Sequence, residues 1–318
     1  MKDYFSGKRV TVTGGVGFLG SHIVNRLHKM KVNVFIPRKA QYDFTDPSKC
    51  AQWFRDYPSD VVIHCAAFYG GIWINQLYPA RIYYENLVMG AHLMEAARLA
   101  EVDKFVGIGT ACSYPGYLEG ELAEDNLWDG IPHETVRNYG LTKKMMAIQG
   151  WAYKKQYDFD SIHLILTNLY GPRDTYNPDR SHVVAALIRK WVEAKMNREE
   201  QVEVWGTGRP IREFMYVDDA AEAILLAAAF YDDTEPLNVG SGIGTSIREL
   251  AETIHEITQF EGEMVWNTEK PDGQMKKILD VSRMKSMLNW EPSTSLREGL
   301  RKTIDWYMAN KEAADSRY

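Results

Sequence analysis

A tyrosine and a lysine lie four residues apart in the stretch 138–143, where they could exchange protons with a bound substrate. If this stretch is helical, Tyr139 and Lys143 share one face of the helix. A phenol has a reference pKa of about 10, and a nearby ammonium favours its ionised form. The pair therefore predicts a general acid or base. Because this spacing often arises by chance, an incidental pair on a surface helix is the alternative.

Three glycines near the beginning of the chain are spaced for binding a dinucleotide. They directly follow a predicted strand over 9–13 and open a predicted helix over 18–30. Residues without a Cβ let the backbone approach a pyrophosphate, and the helix N-terminus then faces the phosphates. A tight turn alone would also explain glycines, but their position between strand and helix favours a cofactor. The residues assigned to this loop are Gly14, Gly17, Phe18, Leu19 and Gly20.

The end of the second predicted strand, 32–36, carries positive charge. Arg38 and Lys39 follow it, where an acidic side chain would bind the ribose 2′-hydroxyl of NAD and repel a 2′-phosphate. Two cations favour NADP, although Arg and Lys at a strand end are often only solvated. Asp43 either accepts a hydrogen bond from the adenine amino group or serves as a turn or helix-cap residue, and the sequence leaves both open.

The elements that must position these residues alternate between apolar runs and longer amphipathic stretches, which is typical of βαβ units around a parallel sheet. We predict an α/β fold with a dinucleotide-binding domain over 1–171. A smaller, discontinuous lobe is predicted mainly over 172–318, with some C-terminal segments returning to the first domain. Further strands are predicted at 61–64, 104–109 and 161–166, and further helices within 46–57, over 79–99, after Asn138, and at 181–192, 217–229, 246–257 and 296–308.

Composition and charge argue against several other classes of protein. The 318 residues carry 37 Lys+Arg against 43 Asp+Glu, a net charge of −6, which disfavours a protein that coats nucleic acid. The longest apolar run, 223–231, is too short to cross a bilayer, and residues 1–10 contain no apolar signal segment. We therefore expect a cytoplasmic enzyme. The three cysteines are widely spaced and the histidines show no ligand spacing, so neither a disulfide framework nor a metal site is predicted.

The glycine loop followed by Tyr139 and Lys143 resembles the extended short-chain dehydrogenase/reductase family. The resemblance implies a Rossmann-type, doubly wound parallel sheet with a C-terminal α/β lobe for the substrate. In that family a Ser or Thr after the preceding strand completes the catalytic group, and Thr110 matches this position. A plain capping threonine is the alternative.

Further segments narrow the resemblance to the GDP-L-fucose synthase family. Enzymes of this family epimerise C3 and C5 of GDP-4-keto-6-deoxy-mannose and then reduce C4 with NADPH in the same site. The resemblance therefore implies an NADP-dependent epimerase-reductase acting on a GDP-sugar. The matching segments occur in the family's order between about residues 9 and 307, and they are 67–72, 110–115, 167–172, 181–183, 204–208, 212–214 and 270–273.

The resemblance assigns epimerisation to Cys112 as the base and His182 as the acid. Protons next to a ketone are acidic because the enolate is stabilised, and inversion needs one group on each face of the sugar. A thiolate and an imidazole can both titrate near neutral pH. A small buried thiol and a helix N-terminal histidine are the alternatives.

Other matched positions are assigned to ligands by the same resemblance. Arg212 would meet the diphosphate, which suits a planar guanidinium, while Asp272 and Lys277 would meet the nucleotide. A surface charge is an equally good interpretation of Lys277. The remaining assignments are Ala66, Ala67, Tyr139, Lys143, Asn168, Leu169 and His182 for the cofactor, and Asn168, Lys190 and Trp205 for the substrate.

Two positions depart from the family pattern. Val16 stands where the usual glycine loop has a basic residue, and Thr110 replaces the usual Ser. Because of the first departure, the prediction of NADP rather than NAD depends on Arg38 and Lys39. The second departure exchanges one hydroxyl donor for another.

Other functions remain open at this point. They are a GDP-4-keto-heptose epimerase or reductase, an NAD-dependent nucleotide-sugar 4-epimerase or dehydrogenase, and a non-enzymatic sensor of nucleotide sugar or NADP. A sensor would not need all five catalytic candidates. The resemblance also implies a homodimer that pairs through the helices over 79–99 and 138–153. Along the first helix Leu87, Gly90, Met94 and Ala97 would either face the partner or pack inside the subunit.

Overall fold

The computed structural model describes residues 1–270, 272 and 274–316, so Pro271 and Gly273 of the segment 270–273 lie outside the described residues. The strands are β1 (Arg9–Thr13), β2 (Asn33–Phe35), β3 (Val61–His64), β4 (Lys104–Thr110), β5 (Gly120–Leu122), β6 (Ser161–Leu166), β7 (Asn168–Tyr170), β8 (Gln201–Trp205), β9 (Ile211–Tyr216), β10 (Leu237–Val239), β11 (Gly244–Ser246), β12 (Glu263–Asn267) and β13 (Lys276–Leu279). The helices are α1 (Lys2–Phe5), α2 (Phe18–Lys29), α3 (Pro47–Asp56), α4 (Ile72–Leu77), α5 (Pro79–Leu99), α6 (Arg137–Tyr157), α7 (Val183–Asn197), α8 (Val217–Phe230), α9 (Ile247–Thr258), α10 (Ser282–Leu288), α11 (Leu296–Ala309) and α12 (Lys311–Asp315).

Within the described ranges, six strands form a parallel sheet in the order β2-β1-β3-β4-β6-β10. The chain leaves β1 on one side to form β2 and returns on the other side to form β3. Ligands of open parallel sheets bind where the strand order reverses in this way, at the carboxyl ends of the strands. The turn after β1 therefore lies at the expected cofactor crevice. The predicted Rossmann-type sheet is confirmed.

Alternate side chains of the central strands serve the two faces of this sheet. Val61 and Ile63 join one core with α2 and α8, whereas Val62 joins another with α3, α5 and α6. This two-sided burial explains why the strands read as continuous apolar runs rather than as alternating ones.

A second sheet builds the smaller lobe. Strands β11, β9, β13 and β5 lie side by side, and β7 pairs with the second half of β9, residues 214–216. Helices α7, α9 and α11 pack on one apolar core with β8, centred on the fully buried Trp191 and Tyr307. Since β7 follows β6 after one residue, this lobe begins directly at the carboxyl edge of the parallel sheet.

The predicted elements are found, with small shifts at their ends. The predicted helix 181–192 begins at Val183, because His182 is still extended, and it continues to Asn197. Short elements such as β5, β7 and α4 were not predicted. Segments of three to six residues are too short to show a period.

The apolar face predicted on α5 points into the subunit. Met94 and Ala97 are buried, and a Cβ on Gly90 would lie 3.6 Å from the Met146 sulfur of α6. Of the two interpretations left open for this face, internal packing is therefore the one that the structure supports.

Two buried polar side chains tie the lobe to the parallel sheet. Asn238 of β10 accepts a hydrogen bond from the Tyr114 hydroxyl at 2.7 Å and donates to the carbonyls of Leu122 and Asp280 at 2.8 and 2.9 Å. Glu213 of β9 is fully buried. Its carboxylate accepts from the backbone N–H groups of Ser241, Gly242 and Leu279 at 2.6, 3.0 and 2.7 Å.

Replacing Glu213 should destabilise the fold more than its size suggests. In Glu213→Leu the three backbone donors lose their acceptor, and each buried unpaired donor costs about 1–3 kcal/mol. We expect the free energy of unfolding in urea to fall by about 3–5 kcal/mol. Glu252→Leu, on the exposed side of α9, should change it by less than about 0.5 kcal/mol. A Glu213→Leu protein within about 1 kcal/mol of wild type would contradict this interpretation.

Candidate active site

The loop after β4 carries the first two catalytic candidates. The Thr110 hydroxyl oxygen accepts a hydrogen bond from the Cys112 backbone N–H at 3.1 Å and caps a short 3-10 helix, Ala111–Ser113. The capping alternative raised from the sequence is therefore observed. It uses the oxygen as an acceptor and leaves the hydroxyl proton available for a substrate oxygen.

Gly140 lets the start of α6 touch this loop. A Cβ built on Gly140 would lie only 2.6 Å from the Cys112 carbonyl oxygen and 3.0 Å from Pro132 Cγ. The Ser113 hydroxyl donates to the Gly140 carbonyl at 3.1 Å. Tyr139 precedes Gly140, so this close approach brings the phenol next to the Thr110–Cys112 loop.

The environment of Tyr139 and Lys143 differs from the sequence expectation. Both side chains are buried, and the Lys143 Nζ lies 5.6 Å from the centre of the Tyr139 ring. Burial raises the pKa of Tyr139 above its usual value, and Cys112 adds to the shift, so desolvation outweighs the expected lowering by the ammonium. Burial also lowers the pKa of Lys143 to about 8. At neutral pH Tyr139 therefore keeps its proton and is suited to act as an acid.

Two cations from the lobe lie near Cys112. Arg212 and Lys277 are register partners on β9 and β13, and both are partly buried. Burial lowers the pKa of each, whereas the neighbouring Cys112 acts in the opposite direction. Among the described residues neither forms an ion pair. Lys277 is therefore not the plain solvated charge that the sequence left possible, and the pair offers positive charge to a thiolate or a phosphate.

His182 occupies the N-cap position of α7, but its side chain makes no capping hydrogen bond. Its Nε2 instead hydrogen-bonds the Tyr69 hydroxyl, and the two rings lie 5.2 Å apart. Burial lowers the pKa of His182 to about 4, so the imidazole is neutral at pH 7. The sequence offered a helix N-terminal histidine as the alternative, and His182 does lie at the helix N-terminus. Its side chain, however, turns to Tyr69 instead of capping the helix.

Tyr69 is a residue of this site that the sequence did not single out. Its ring lies 5.4 Å from that of Tyr139 and is 45% exposed, so it stands between two catalytic candidates. The loop is held by Asn86, which bonds both the N–H and the carbonyl of Phe68 at 2.9 and 2.8 Å. Asn75 donates to the Gly70 carbonyl at 3.2 Å. The segment 67–72 is one of those that carry the family resemblance, but the sequence does not indicate where the Tyr69 side chain points.

The glycine loop fits a dinucleotide. Gly14 has a φ of +66°, and a Cβ there would lie 3.1 Å from the Ala66 nitrogen. A Cβ on Gly20 would lie 2.2 Å from the Gly14 carbonyl oxygen. Helix α2 begins at Phe18 after Gly17, without a side-chain cap. Its first N–H groups can therefore face a pyrophosphate.

Two of the three side chains predicted to bind the adenosine end of the cofactor already have partners within the protein. Arg38 is exposed, whereas Lys39 pairs with Glu85 at 3.1 Å. Asp43 accepts from the N–H and hydroxyl of Thr45 at 3.1 and 2.8 Å, which matches the turn-residue alternative. Its contact with adenine stays a prediction.

The turns after β1 and β3 are joined by hydrogen bonds. The Ala66 N–H donates to the Thr13 hydroxyl oxygen at 3.0 Å, and Thr13 also bonds the buried His64 at 2.8 Å. Ala67 packs beside Tyr139, and Leu169 lies against the core of the parallel sheet.

The candidate nucleotide residues gather on the lobe around an exposed aromatic ring. Trp205 is 60% exposed, and the Nζ atoms of Lys190 and Lys270 each lie 5.2 Å from its centre. Asp272 binds the N–H and hydroxyl of Thr207 at 2.9 and 2.6 Å and so fixes the turn beside the ring. Asn168 donates to the Glu213 carbonyl at 2.9 Å. Direct contacts of these side chains with a substrate stay predictions.

Across the described part of the chain, no group of three or more His, Cys, Asp or Glu side chains is arranged to hold a metal ion. None of the helices in the described ranges is both long and apolar enough to cross a membrane.

Curated relatives match nearly the whole chain. A probable GDP-L-fucose synthase 1 of Oryza sativa subsp. japonica is 38% identical over 96% of this chain and 93% of its own length. GDP-L-fucose synthase 1 of Arabidopsis thaliana is 38% identical over 95% of this chain and 94% of its own. GDP-L-fucose synthase of Escherichia coli K12 is 34% identical over 96% of this chain and 98% of its own length.

Solved structures share the fold. A GDP-L-fucose synthetase of Naegleria fowleri superposes with a TM-score of 0.91 at 27% identity, over 97% of this chain and 96% of that one. A GDP-6-OMe-4-keto-L-xylo-heptose reductase of C. jejuni superposes with a TM-score of 0.90 at 27% identity, over 95% of this chain and 98% of that one. The sequence pattern of one family matches residues 10–240. The chain thus belongs to the NAD dependent epimerase/dehydratase family, in which its curated relatives are GDP-L-fucose synthases.

Proposed function

We propose that this protein epimerises C3 and C5 of GDP-4-keto-6-deoxy-mannose and reduces C4 with NADPH, giving GDP-L-fucose. The observation that carries the proposal is a chain-long similarity to GDP-L-fucose synthases together with a complete set of candidate groups. The loop after β4, the start of α6 and the N-terminus of α7 supply them. They are Thr110, Cys112, Tyr139, Lys143 and His182.

NADP is the cofactor that we propose, and a solved relative from Naegleria fowleri, 27% identical, has NADP bound. NADPH, when bound, supplies the hydride that reaches C4. The loop 14–20 would hold its pyrophosphate, because the glycines leave room and the first turn of α2 offers N–H groups. Arg38 and Lys39 would bind the 2′-phosphate.

Tyr139 is the proton donor that we propose for reduction. Its buried phenol is protonated at neutral pH, so it can give a proton to O4 as negative charge develops there. The Thr110 hydroxyl proton is free to bond the same oxygen, since the Thr110 oxygen is already fixed by the Cys112 N–H. The Lys143 ammonium, buried beside the ring, stabilises the phenolate that remains.

Cys112 and His182 are the groups that we propose for epimerisation. The Cys112 thiolate removes a proton from the carbon next to the ketone, and the electron pair of that C–H bond becomes the enolate. Arg212 and Lys277 place positive charge beside the sulfur, where it would stabilise the negative charge of the enolate. His182 is neutral before the substrate binds, so we propose that it takes up a proton beside the negatively charged GDP-sugar and returns it to the other face of the carbon. Tyr69 orients its ring.

The nucleotide part of the substrate would lie on the lobe. Arg212 and Lys277 are adjacent cations suited to a diphosphate. The exposed Trp205 ring, flanked by Lys190 and Lys270, offers a flat apolar surface to the base. Asp272 fixes the turn that presents this ring, and Asn168 lies on β7 at the carboxyl edge of the sheet.

A heptose substrate is the second candidate. The specific observation in its favour is the similarity, with a TM-score of 0.90, to the GDP-6-OMe-4-keto-L-xylo-heptose reductase of C. jejuni. A reductase alone needs only Thr110, Tyr139 and Lys143, so Cys112 and His182 favour the epimerase-reductase.

We also propose a homodimer that pairs through the outer faces of α5 and α6, which pack against each other. Large apolar side chains remain 40–66% exposed on these two helices, and they are Tyr83, Tyr84, Leu99, Met145, Ile148, Trp151 and Tyr157. A cytoplasmic location is a further proposal, supported by Cys50, Cys65 and Cys112, which are all free thiols.

The first prediction separates reduction from epimerisation. In Tyr139→Phe, NADPH oxidation with GDP-4-keto-6-deoxy-mannose should fall at least about 100-fold because the proton donor is lost. Solvent deuterium should still enter C3 and C5. In Cys112→Ser the order reverses: a serine hydroxyl is a much weaker acid than a thiol, so exchange at both carbons should collapse while some direct reduction persists.

The exchange is measured by NMR in D₂O with oxidised cofactor, which cannot supply hydride. Undiminished exchange in Cys112→Ser would contradict the epimerase assignment. Turnover of Tyr139→Phe within about tenfold of wild type, equivalent to about 1.4 kcal/mol in barrier, would contradict its role in reduction.

The second prediction concerns assembly. Light scattering at micromolar concentration should give twice the mass of one chain for the wild type. Ile148→Glu should give one chain mass, because a carboxylate cannot be buried unpaired in an apolar interface. Met287→Glu, on an exposed part of α10, serves as the control and should stay dimeric. A wild type that weighs one chain would rule the dimer out.

A further inference from the structure

Lys39, which the sequence assigns to the 2′-phosphate of the cofactor, already pairs with the carboxylate of Glu85. Lys39 Nζ lies 3.1 Å from a Glu85 oxygen and 3.8 Å from an Asp43 oxygen. The other Glu85 oxygen accepts from Arg81 Nε at 2.6 Å. A bridge therefore runs from the end of β2 to α5, next to the site expected for the adenosine.

The three charged side chains of this bridge differ in their exposure to solvent. The Glu85 side chain is 16% exposed, whereas those of Lys39 and Arg81 are 61% and 49% exposed. Burial favours the protonated carboxyl, but the hydrogen bonds from Arg81 and Lys39 outweigh it and hold the pKa of Glu85 below its usual value. Glu85 is therefore a fixed negative charge at neutral pH, while the Lys39 ammonium is free to change partners.

The position of Glu85 is set by its neighbours on α5. Asn86 bonds the backbone of Phe68 in the turn after β3, and the Arg81 guanidinium lies 4.1 Å from the centre of the Phe68 ring. This turn borders the same crevice as the glycine loop. The first turns of α5 are thus fixed to the wall of the crevice, which holds the Glu85 backbone beside Lys39.

We propose that Glu85 limits the preference for NADPH over NADH by competing with the 2′-phosphate for Lys39. The inference rests on the proposed function only in taking Lys39 as a ligand of that phosphate. A 2′-phosphate beside Lys39 meets the negative charge of Glu85 and has to share the ammonium with it. NADH carries a neutral hydroxyl at the same position, so Glu85 does not penalise it.

The expected size of the effect follows from the exposure of the cation. Because Lys39 is largely exposed, the dielectric of water applies, and a unit charge about 6 Å from another then contributes about threefold in affinity. Exposed ion pairs are worth similarly little. Removing the Glu85 charge should therefore tighten NADPH binding about threefold to tenfold at low salt. NADH binding should change by less than about twofold.

The test measures the Kd of NADPH and of NADH by titration calorimetry on the full chain, with no sugar substrate. Glu85→Gln keeps the size of the side chain and removes its charge. Glu95→Gln is the matched control: it lies on the same helix, and its carboxylate pairs with Arg98 at 2.7 Å, away from Lys39. Glu85→Gln should lower the NADPH Kd, and Glu95→Gln should leave both values unchanged.

A double-mutant cycle identifies the cation involved. Lys39→Ala should weaken NADPH binding, and in that background Glu85→Gln should gain less than it does alone, because the contested ammonium is absent. An unchanged or weaker affinity of Glu85→Gln for NADPH would overturn the inference. So would an equal gain for NADH. A wild type that binds neither nucleotide would instead contradict the proposed function, and the two failures are therefore distinguishable.

Discussion

The contact between the Cys112 carbonyl and Gly140 brings the catalytic candidates into one site. The loop after β4 and helix α6, which begins 27 residues after that strand ends, approach too closely for a Cβ on Gly140: a built Cβ lies 2.6 Å from the Cys112 carbonyl oxygen. The Ser113 hydroxyl then fastens the two segments. Thr110 and Cys112 come from the loop, whereas Tyr139 and Lys143 come from the helix. Their mutual geometry therefore depends on one residue without a side chain.

Burial then sets the charge state of the groups so assembled. It keeps the proton on Tyr139, lowers the pKa of Lys143 to about 8 and leaves His182 neutral. Within the described residues, Arg212 and Lys277 have no carboxylate partner close enough for an ion pair. A site with partly buried positive charge and no carboxylate partner is suited to a substrate that brings negative charge, such as a diphosphate or an enolate.

The sequence predicted the parts whose signal is local. The glycine loop, the Tyr139–Lys143 spacing and the alternation of strands and helices each depend on neighbouring residues, and the parallel sheet is as expected. The position of Tyr69 between Tyr139 and His182, and the pairing of Lys39 with Glu85, join segments far apart in the chain, so no periodicity reveals them. The sequence left open whether Tyr139 acts as an acid or a base, because a sequence shows the neighbouring ammonium but not the desolvation. The boundary at 171 and the residue-by-residue ligand contacts stay predictions.

The most direct test of this account is the activity of Gly140→Ala. The added methyl group must push the Cys112 loop away from α6, and a misplacement of about 1 Å can cost about 100-fold in rate. We expect kcat/KM for NADPH-dependent reduction to fall by at least that factor in a protein that still folds. Gly90→Ala is the control and should leave activity unchanged, because its Cβ would lie at ordinary contact distance from the Met146 sulfur and Cγ, 3.6 and 3.9 Å. Wild-type activity in Gly140→Ala would contradict the central claim that this close approach builds the site.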